Sequence, residues 1–375
     1  MTLQGIKYLP VSVKKDEALS LYKSLAKVQE KLGELNSEIS HSIVNKNFMQ
    51  VFSLIESTQS TRIEGTQVTF TEVLEEKNTK NKSSEITEVL NYQKALNRGI
   101  DLLKANNPIS TRLMQELHRI LMENSRGTVS GSGEYRKIQN HIGPDNNIEN
   151  AVYIPIGAQD IGKYMANLEF FINNEQHTTS RHDFDIEDEI FDENSPGLIK
   201  TAIVHAQFES IHPFLDGNGR LGRILIILTL LKERVIKNPI FFVSEELEKE
   251  RARYYDLLNG VRGEEPEWYP WIKFFLDASY RMVVNLLKKI ELSEKLAEEG
   301  LNELIKDSEQ KVWLYSFNSP IFTVSAAAED LKLTQPTVRK AVDRLVSMEL
   351  LYTDKVTKRN KKYHNYEVMR ILNNN

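Results

Sequence analysis

The chain has 375 residues, 40% of them hydrophobic and 27% charged, with a net charge of −5 and no cysteine. This is the composition of a globular protein of two or three domains with a sizeable core. It excludes disulfides, thiolate metal sites and a cysteine nucleophile, and the longest apolar run, residues 224–231, is far too short to span a bilayer.

The N-terminal stretch MTLQGIKYLPVSVKKDE lacks the basic-then-apolar order of a signal peptide, so a soluble, cytoplasmic chain with no membrane partner is expected. Helical periodicity dominates the chain. Thr69-x-x-Glu72 reads as a capping box at a helix start. Ile86, Val89, Leu90, Leu96, Ile100 and Leu103 share one apolar face, as do Leu113, Leu117, Ile120 and Leu121, and then Ile161, Met165, Leu168 and Ile172. The glycines of 127–133 break the pattern. Beyond them, Ile138–Ile142 and Ala151–Ile156 flank Gly143-Pro144-Asp145-Asn146-Asn147, which predicts a β-hairpin with a longer loop. Residues 182–193, HDFDIEDEIFDE, lack the glycine and spacing of an EF-hand and are expected as a solvated acidic loop.

Two helices are predicted over 195–210 and 220–233, the first with Ser195 as cap and Pro196 at its first helical position. Between them stands His212-Pro213-Phe214-Leu215-Asp216-Gly217-Asn218-Gly219. Proline and the glycines stop the first helix, and glycine reaches backbone turns closed to other residues. Gly217-Asn218-Gly219 is expected to curl its N–H groups into an anion nest before a helix N-terminus, where free amides and the positive dipole end favour phosphate. Arg220 and Arg223 share a face of the first turn, and two guanidinium forks suit a polyphosphate. Asp216 offers the single carboxylate that magnesium needs beside phosphate oxygens and waters. His212 is a general base for a hydroxyl nucleophile, and Phe214 is expected to anchor the loop in the core. A lone helix-end histidine is commonly structural and a lone Gly-x-Gly is common. Their conjunction with an aspartate and two arginines points to chemistry.

Residues 288–307 form a charged helical connector. After it the balance turns basic, while the preceding chain is acidic. Lys311–Phe317, Ala326–Leu331 and Gln335–Met348 predict three helices, the last capped by Thr334. Leu351-Tyr352 and the run from Tyr366 to Met369 flank a loop carrying Lys355, Lys358, Arg359, Lys361 and Lys362. This resembles a winged helix-turn-helix with 334–344 as recognition segment. Its cations are candidates for DNA phosphates, the alternative being a module for dimer or partner contacts. The division expected is 1–107, a helical region; 108–290, the catalytic domain; 291–307, the connector; and 308–375, the winged helix.

His212-Pro-Phe-Leu-Asp216-Gly-Asn-Gly-Arg220-Leu-Gly-Arg223 resembles the Fic family signature H-P-F-x-D-G-N-G-R-x-x-R without departure, within a helical context similar over most of 40–290. The resemblance implies a mainly α core with a β-hairpin flap. It also implies a protein adenylyltransferase, which moves AMP from ATP to a Ser, Thr or Tyr hydroxyl of a target protein or of itself. His212 would deprotonate the hydroxyl and Asp216 would hold Mg2+. Gly217, Asn218, Gly219, Arg220, Leu221, Gly222 and Arg223 would bind the nucleotide. Ser60-Thr-Arg-Ile-Glu64-Gly65 resembles the family's inhibitory motif S/T-x-x-x-E-G/N, by which Glu64 would pair with Arg223 and keep it from the γ-phosphate. The plain alternative is a surface Ser and Glu near a helix end. The hairpin resembles the flap that holds the target segment by strand addition, which would set Asn150, Ala151, Val152 and Tyr153 beside the nucleotide. Tyr254-Tyr255 resembles a pair lining the adenine pocket, or else two aromatics of an amphipathic helix. Arg262 stands where some relatives carry Asn, and His205 is expected in the core.

Two other readings remain: the same site transferring UMP or phosphocholine or removing AMP, and a nucleotide-sensing DNA-binding regulator. The intact Gly219 and Arg223 favour ATP in the adenylylating orientation. A homodimer is left open.

Overall fold

A short strand, β1 (Leu3–Gln4), leads into β2 (Val11–Lys14) and the long helix α1 (Lys15–His41), which buries a stripe from Ala18 to Ile39. Then come α2 (Asn45–Ile63), α3 (Phe70–Glu76), α4 (Ser84–Lys104), α5 (Thr111–Leu121), β3 (Tyr153–Ile154), α6 (Ile161–Ile172) and β4 (Asp188–Phe191). Next are α7 (Gly197–Ile211), α8 (Asn218–Lys232), α9 (Ser244–Lys249), α10 (Arg251–Gly260) and α11 (Trp268–Glu303). The chain ends with α12 (Asp307–Asn318), β5 (Ile321–Thr323), α13 (Val324–Leu331), α14 (Gln335–Ser347), β6 (Tyr352–Thr353), β7 (Lys362–His364) and α15 (Tyr366–Asn373). This computed structural model describes residues 2–42, 45–76, 82–125, 131–145, 147–177, 184–353 and 361–373, with backbone alone over 45–49.

The antiparallel pair α7 and α8 is the centre. Every side chain of α7 from Leu198 to Ile211 is buried, so this helix has no polar face. Helices α6, α10 and α11 surround α7, and α2, α4 and α5 pack on α8, while α1 lies along α11. Thr69 and Glu72 exchange bonds and Thr334 accepts from the first turn of its helix as expected, and Ser83, Ser110 and Thr323, which were not among the expected caps, cap their helices in the same way.

Several expectations are corrected. The hairpin over 138–156 is not a regular ladder: it has one antiparallel bridge, Ile142 with Tyr153, and residues 148–150 make a 3-10 turn. Asp145 draws the loop inward by accepting from the Asn147 amide and the Asn150 side chain, which competes with pairing. The other edge of β3 is taken by β1, in parallel, with Leu3 donating to Val152 and Gly5 to Ile154. The acidic loop holds strand β4, paired antiparallel with β2, and Tyr22 and Ser12 donate to Glu189 and Asp188. Pro196, not Ser195, is the cap position of α7, and α8 starts at Asn218, two residues before the prediction. The run from Tyr366 to Met369 is helical, because the buried Asn365 side chain accepts from the Val368 amide; the strand is β7. Helix α11 runs unbroken across residues 290 and 291 to Glu303, and at Gly300 the Trp313 indole packs so closely that a Cβ would come within 2.4 Å.

Candidate active site

Helix α7 ends at His212, which adopts the left-handed conformation (φ 50°, ψ 59°) and turns the chain sharply. Phe214 plugs the turn. It is fully buried and stacks on His118 of α5, with ring centres 3.8 Å apart. Asn218 locks the turn from the other side, its side chain accepting from the Phe214 amide and donating to the Phe214 carbonyl. Its side chain is therefore committed to the loop, leaving its main-chain N–H for any ligand. Gly217 opens α8 at φ 77°, and a Cβ there would meet the Met122 sulfur at 2.9 Å, so glycine is required twice over.

His118 is a site residue that spacing could not reveal. Its Nδ1 accepts from the Gly133 amide, so its other nitrogen must carry the proton and donate to the Asp216 carbonyl. The signal, a histidine on the apolar face of α5, is indistinguishable in sequence from an ordinary core residue.

The His212 ring points Nδ1 at the Glu209 carbonyl, 3.2 Å away, which fixes that nitrogen as donor and leaves Nε2 as acceptor. Burial, then the Arg262 charge, depress its pKa from 6.5 to about 4, so the imidazole is neutral at physiological pH. His205 lies in the core as expected, with Nε2 2.9 Å from the Tyr254 hydroxyl.

Asp216 is exposed. One carboxylate oxygen accepts from Gly217 N–H at 2.6 Å and lies 3.4 Å from Arg220. No group of three or more His, Asp or Glu able to hold a metal occurs among the described residues. A lone, solvent-facing carboxylate beside a helix N-terminus nevertheless fits Mg2+ carried on phosphate oxygens, which needs no protein cage.

The two arginines part company. Arg220 turns toward Asp216, Glu88 and Met122. Arg223 is 1% exposed and reaches the end of α2: its Nε donates to Ser60 Oγ (2.8 Å) and its Nη2 to the Ser60 carbonyl (2.9 Å) and to Glu64 Oε1 (2.6 Å). Burial pushes the Glu64 carboxyl up, but Arg223 outweighs it and holds the pKa below the ordinary value. The same carboxylate lies over Gly219: a Cβ built there would sit 2.1 Å from Glu64 Oε1. An anion thus already rests against the first turn of α8.

The remaining candidates divide. Leu221 is in the core, and Gly222 makes room for the Glu209 carboxylate, so both offer main chain only. Tyr254 is buried, while Tyr255 is 37% exposed with its hydroxyl 3.5 Å from the Ile63 carbonyl beside Glu64. In the flap, Asn150 and Val152 face solvent, whereas Ala151 and Tyr153 are buried and the Tyr153 hydroxyl donates to the Ser210 carbonyl (2.6 Å).

Comparison with known proteins agrees with this geometry. The Fic/DOC family pattern matches residues 108–230, and the pattern of the Fic/DOC family N-terminal region matches 22–101. Curated relatives named "Protein adenylyltransferase Fic" include those of Drosophila ananassae (26% identical over 171 residues, 46% of this chain and 28% of that one) and Culex quinquefasciatus (27% over 212 residues, 56% and 36%). The chain spans about a third of their length. A Fic family protein from Desulfovibrio desulfuricans has the same fold over 96% of this chain and 98% of its own (TM-score 0.56, 20% identity). A Fic domain containing signaling protein from Bacteroides thetaiotaomicron does so over 70% and 97% (TM-score 0.52, 16% identity).

Proposed function

We propose, for a chain that belongs to the Fic/DOC family, that its site transfers AMP from ATP to a protein hydroxyl and that Glu64 holds it closed. The observation that carries this reading is the seat of Glu64, an anion set over Gly219 and paired to Arg223, where a nucleotide's outer phosphate would bind. With Glu64 withdrawn, the free amides of α8 and the two arginines would take the polyphosphate. His212 Nε2 would remove the proton of a Ser, Thr or Tyr hydroxyl, whose oxygen bonds to the α-phosphorus as the bond to pyrophosphate breaks. Asp216 would hold Mg2+, which when bound neutralises phosphate charge.

The test is intact-mass measurement of the Glu64→Gly chain incubated with ATP, UTP or CDP-choline. An AMP increment supports the reading. A uridylyl or phosphocholine increment, or no adduct with any of them, sinks it. Asp216→Ala in the same background should slow labelling at least about tenfold and flatten its Mg2+ dependence, since the nearest carboxylate is gone. An unchanged magnesium titration places the ligand elsewhere.

The C-terminal residues are read as a winged helix, supported by the order α12, β5, α13, α14, β6, β7 and the antiparallel sheet β5-β7-β6. The loop carrying Lys355, Lys358 and Arg359 lies outside the described residues, and Lys362 donates to the Glu75 carbonyl. Arg339 and Lys340 face solvent on α14 and are the candidate DNA contacts. Duplex binding that fails to weaken with salt, or survives charge removal at both positions, counts against that role.

A further inference from the structure

Two arginines stand against the last turn of α7, and neither has a carboxylate within ion-pair distance among the described residues. Arg136 is 3% exposed. Its guanidinium donates to three carbonyls from three segments: His212 (2.9 Å), Ile138 (3.1 Å) and Ile156 (2.5 Å). Its own amide donates to the Pro213 carbonyl at 2.9 Å. Arg262 is 5% exposed and donates to Ser210 Oγ (3.2 Å), the Glu209 carbonyl (3.4 Å) and Asn259 Oδ1 (2.7 Å). Its guanidinium carbon lies 4.1 Å from the centre of the Tyr153 ring, and Tyr153 itself donates to the Ser210 carbonyl.

A buried cation with no carboxylate in direct contact is expensive, and filling space would not require one. What the position requires is a planar fork. Ile138 and Ile156 are the two legs of the flap, His212 is the proposed base, and only a guanidinium presents coplanar donors to all three at once. The last carbonyls of α7 lack helical partners, and a cation at that end also meets the negative end of the dipole. His212 needs such support, because a side chain in the left-handed region stays there only when its surroundings hold it.

We propose that Arg136 and Arg262 are positioning residues that join the flap to His212, Arg136 clamping both flap legs to the His212 main chain and Arg262 pinning Tyr153 over the end of α7. Neither is offered as a substrate ligand, since their donors are engaged by the protein. The proposal rests on the preceding reading only in taking His212 as the base. A second consequence is electrostatic. The charged groups facing His212 are Arg262, from the turn after α10, Arg136, from the flap leg, and Glu64, from the end of α2; the arginines oppose imidazole protonation and Glu64 favours it.

The experiment compares wild type with Arg136→Gln, Arg136→Lys, Arg262→Gln and Arg262→Lys in two measurements that need no transfer activity. These are the NMR titration of His212, assigned by its loss in His212→Ala, and amide exchange over 138–156. Arg262→Gln should raise the His212 midpoint by about half a pH unit or more, whereas Arg262→Lys, which keeps the charge, should not. Arg136→Lys keeps the charge but loses the fork, so flap amides should exchange at least about tenfold faster while the midpoint stays. If both arginines merely cap α7, the Gln variants lower the melting temperature while the His212 midpoint and flap exchange match wild type, and the proposal is overturned. Absence of AMP transfer in Glu64→Gly, with these shifts intact, would defeat the proposed function and leave the positioning role standing.

Discussion

Glu64→Gly is expected to label itself and its targets at least about tenfold faster than wild type at saturating ATP, a difference of about 1.4 kcal/mol or more in the barrier. Two effects add. The substitution frees Arg223, now held by Glu64 at 2.6 Å, and it removes a carboxylate from the turn of α8 where another anion must sit. Glu64 is 36% exposed, so solvent screens part of its pairing with Arg223 and part of its repulsion of an incoming anion, which keeps the expected gain modest. Glu64→Gln, isosteric but uncharged, should recover part of it. Arg223→Ala should not activate, because it deletes the phosphate ligand with the lock. It should also destabilise the fold by leaving Glu64 and the Ser60 carbonyl without their donor. A folded Glu64→Gly chain that labels no faster than wild type would make the Ser60–Glu64–Arg223 cluster a structural tie between α2 and α8.

His212→Ala in the Glu64→Gly background should lower transfer by roughly 10²–10⁴-fold with ATP affinity nearly unchanged, because the imidazole acts on the nucleophile and not on the phosphates. ATP affinity is read by calorimetry and transfer by mass. A variant that keeps its rate defeats the general-base role. The pH profile adds an independent check. The imidazole pKa is depressed from 6.5 to about 4, so His212 is already a free base at pH 5, and its acid limb should fall near 4. In Glu64→Gly the limb should move lower still, since Glu64 is the charge that favours the protonated ring. For stability the sign is the same: the unfolded histidine takes a proton below 6.5 and the folded one does not. Its share of stability, complete above pH 6.5, is therefore lost as pH falls toward 4.

Much of this protein is determined within short windows of sequence. The 212–223 segment encodes its own turn: Gly217 for the positive φ, Asn218 to tie Phe214, and helix-forming residues behind them to present free amides. Caps at Ser83, Ser110 and Thr334 are equally local, since each satisfies an amide three residues away. What only the tertiary structure decided involves partners far apart in the chain. Nothing near Glu64 requires Arg223, 159 residues on, and nothing near Arg136 requires His212, 76 residues on; packing α2 and the flap legs against α7 and α8 brings them together. The flap's neighbour was set in the same way. The loop of 143–147 marks 151–156 as one arm of a hairpin, but which segment pairs with it is set by partners distant in the chain. Asp145 folds the loop inward and β1 takes the open side. A side chain's periodicity records which face is buried, whereas the identity of what buries it is written elsewhere in the chain.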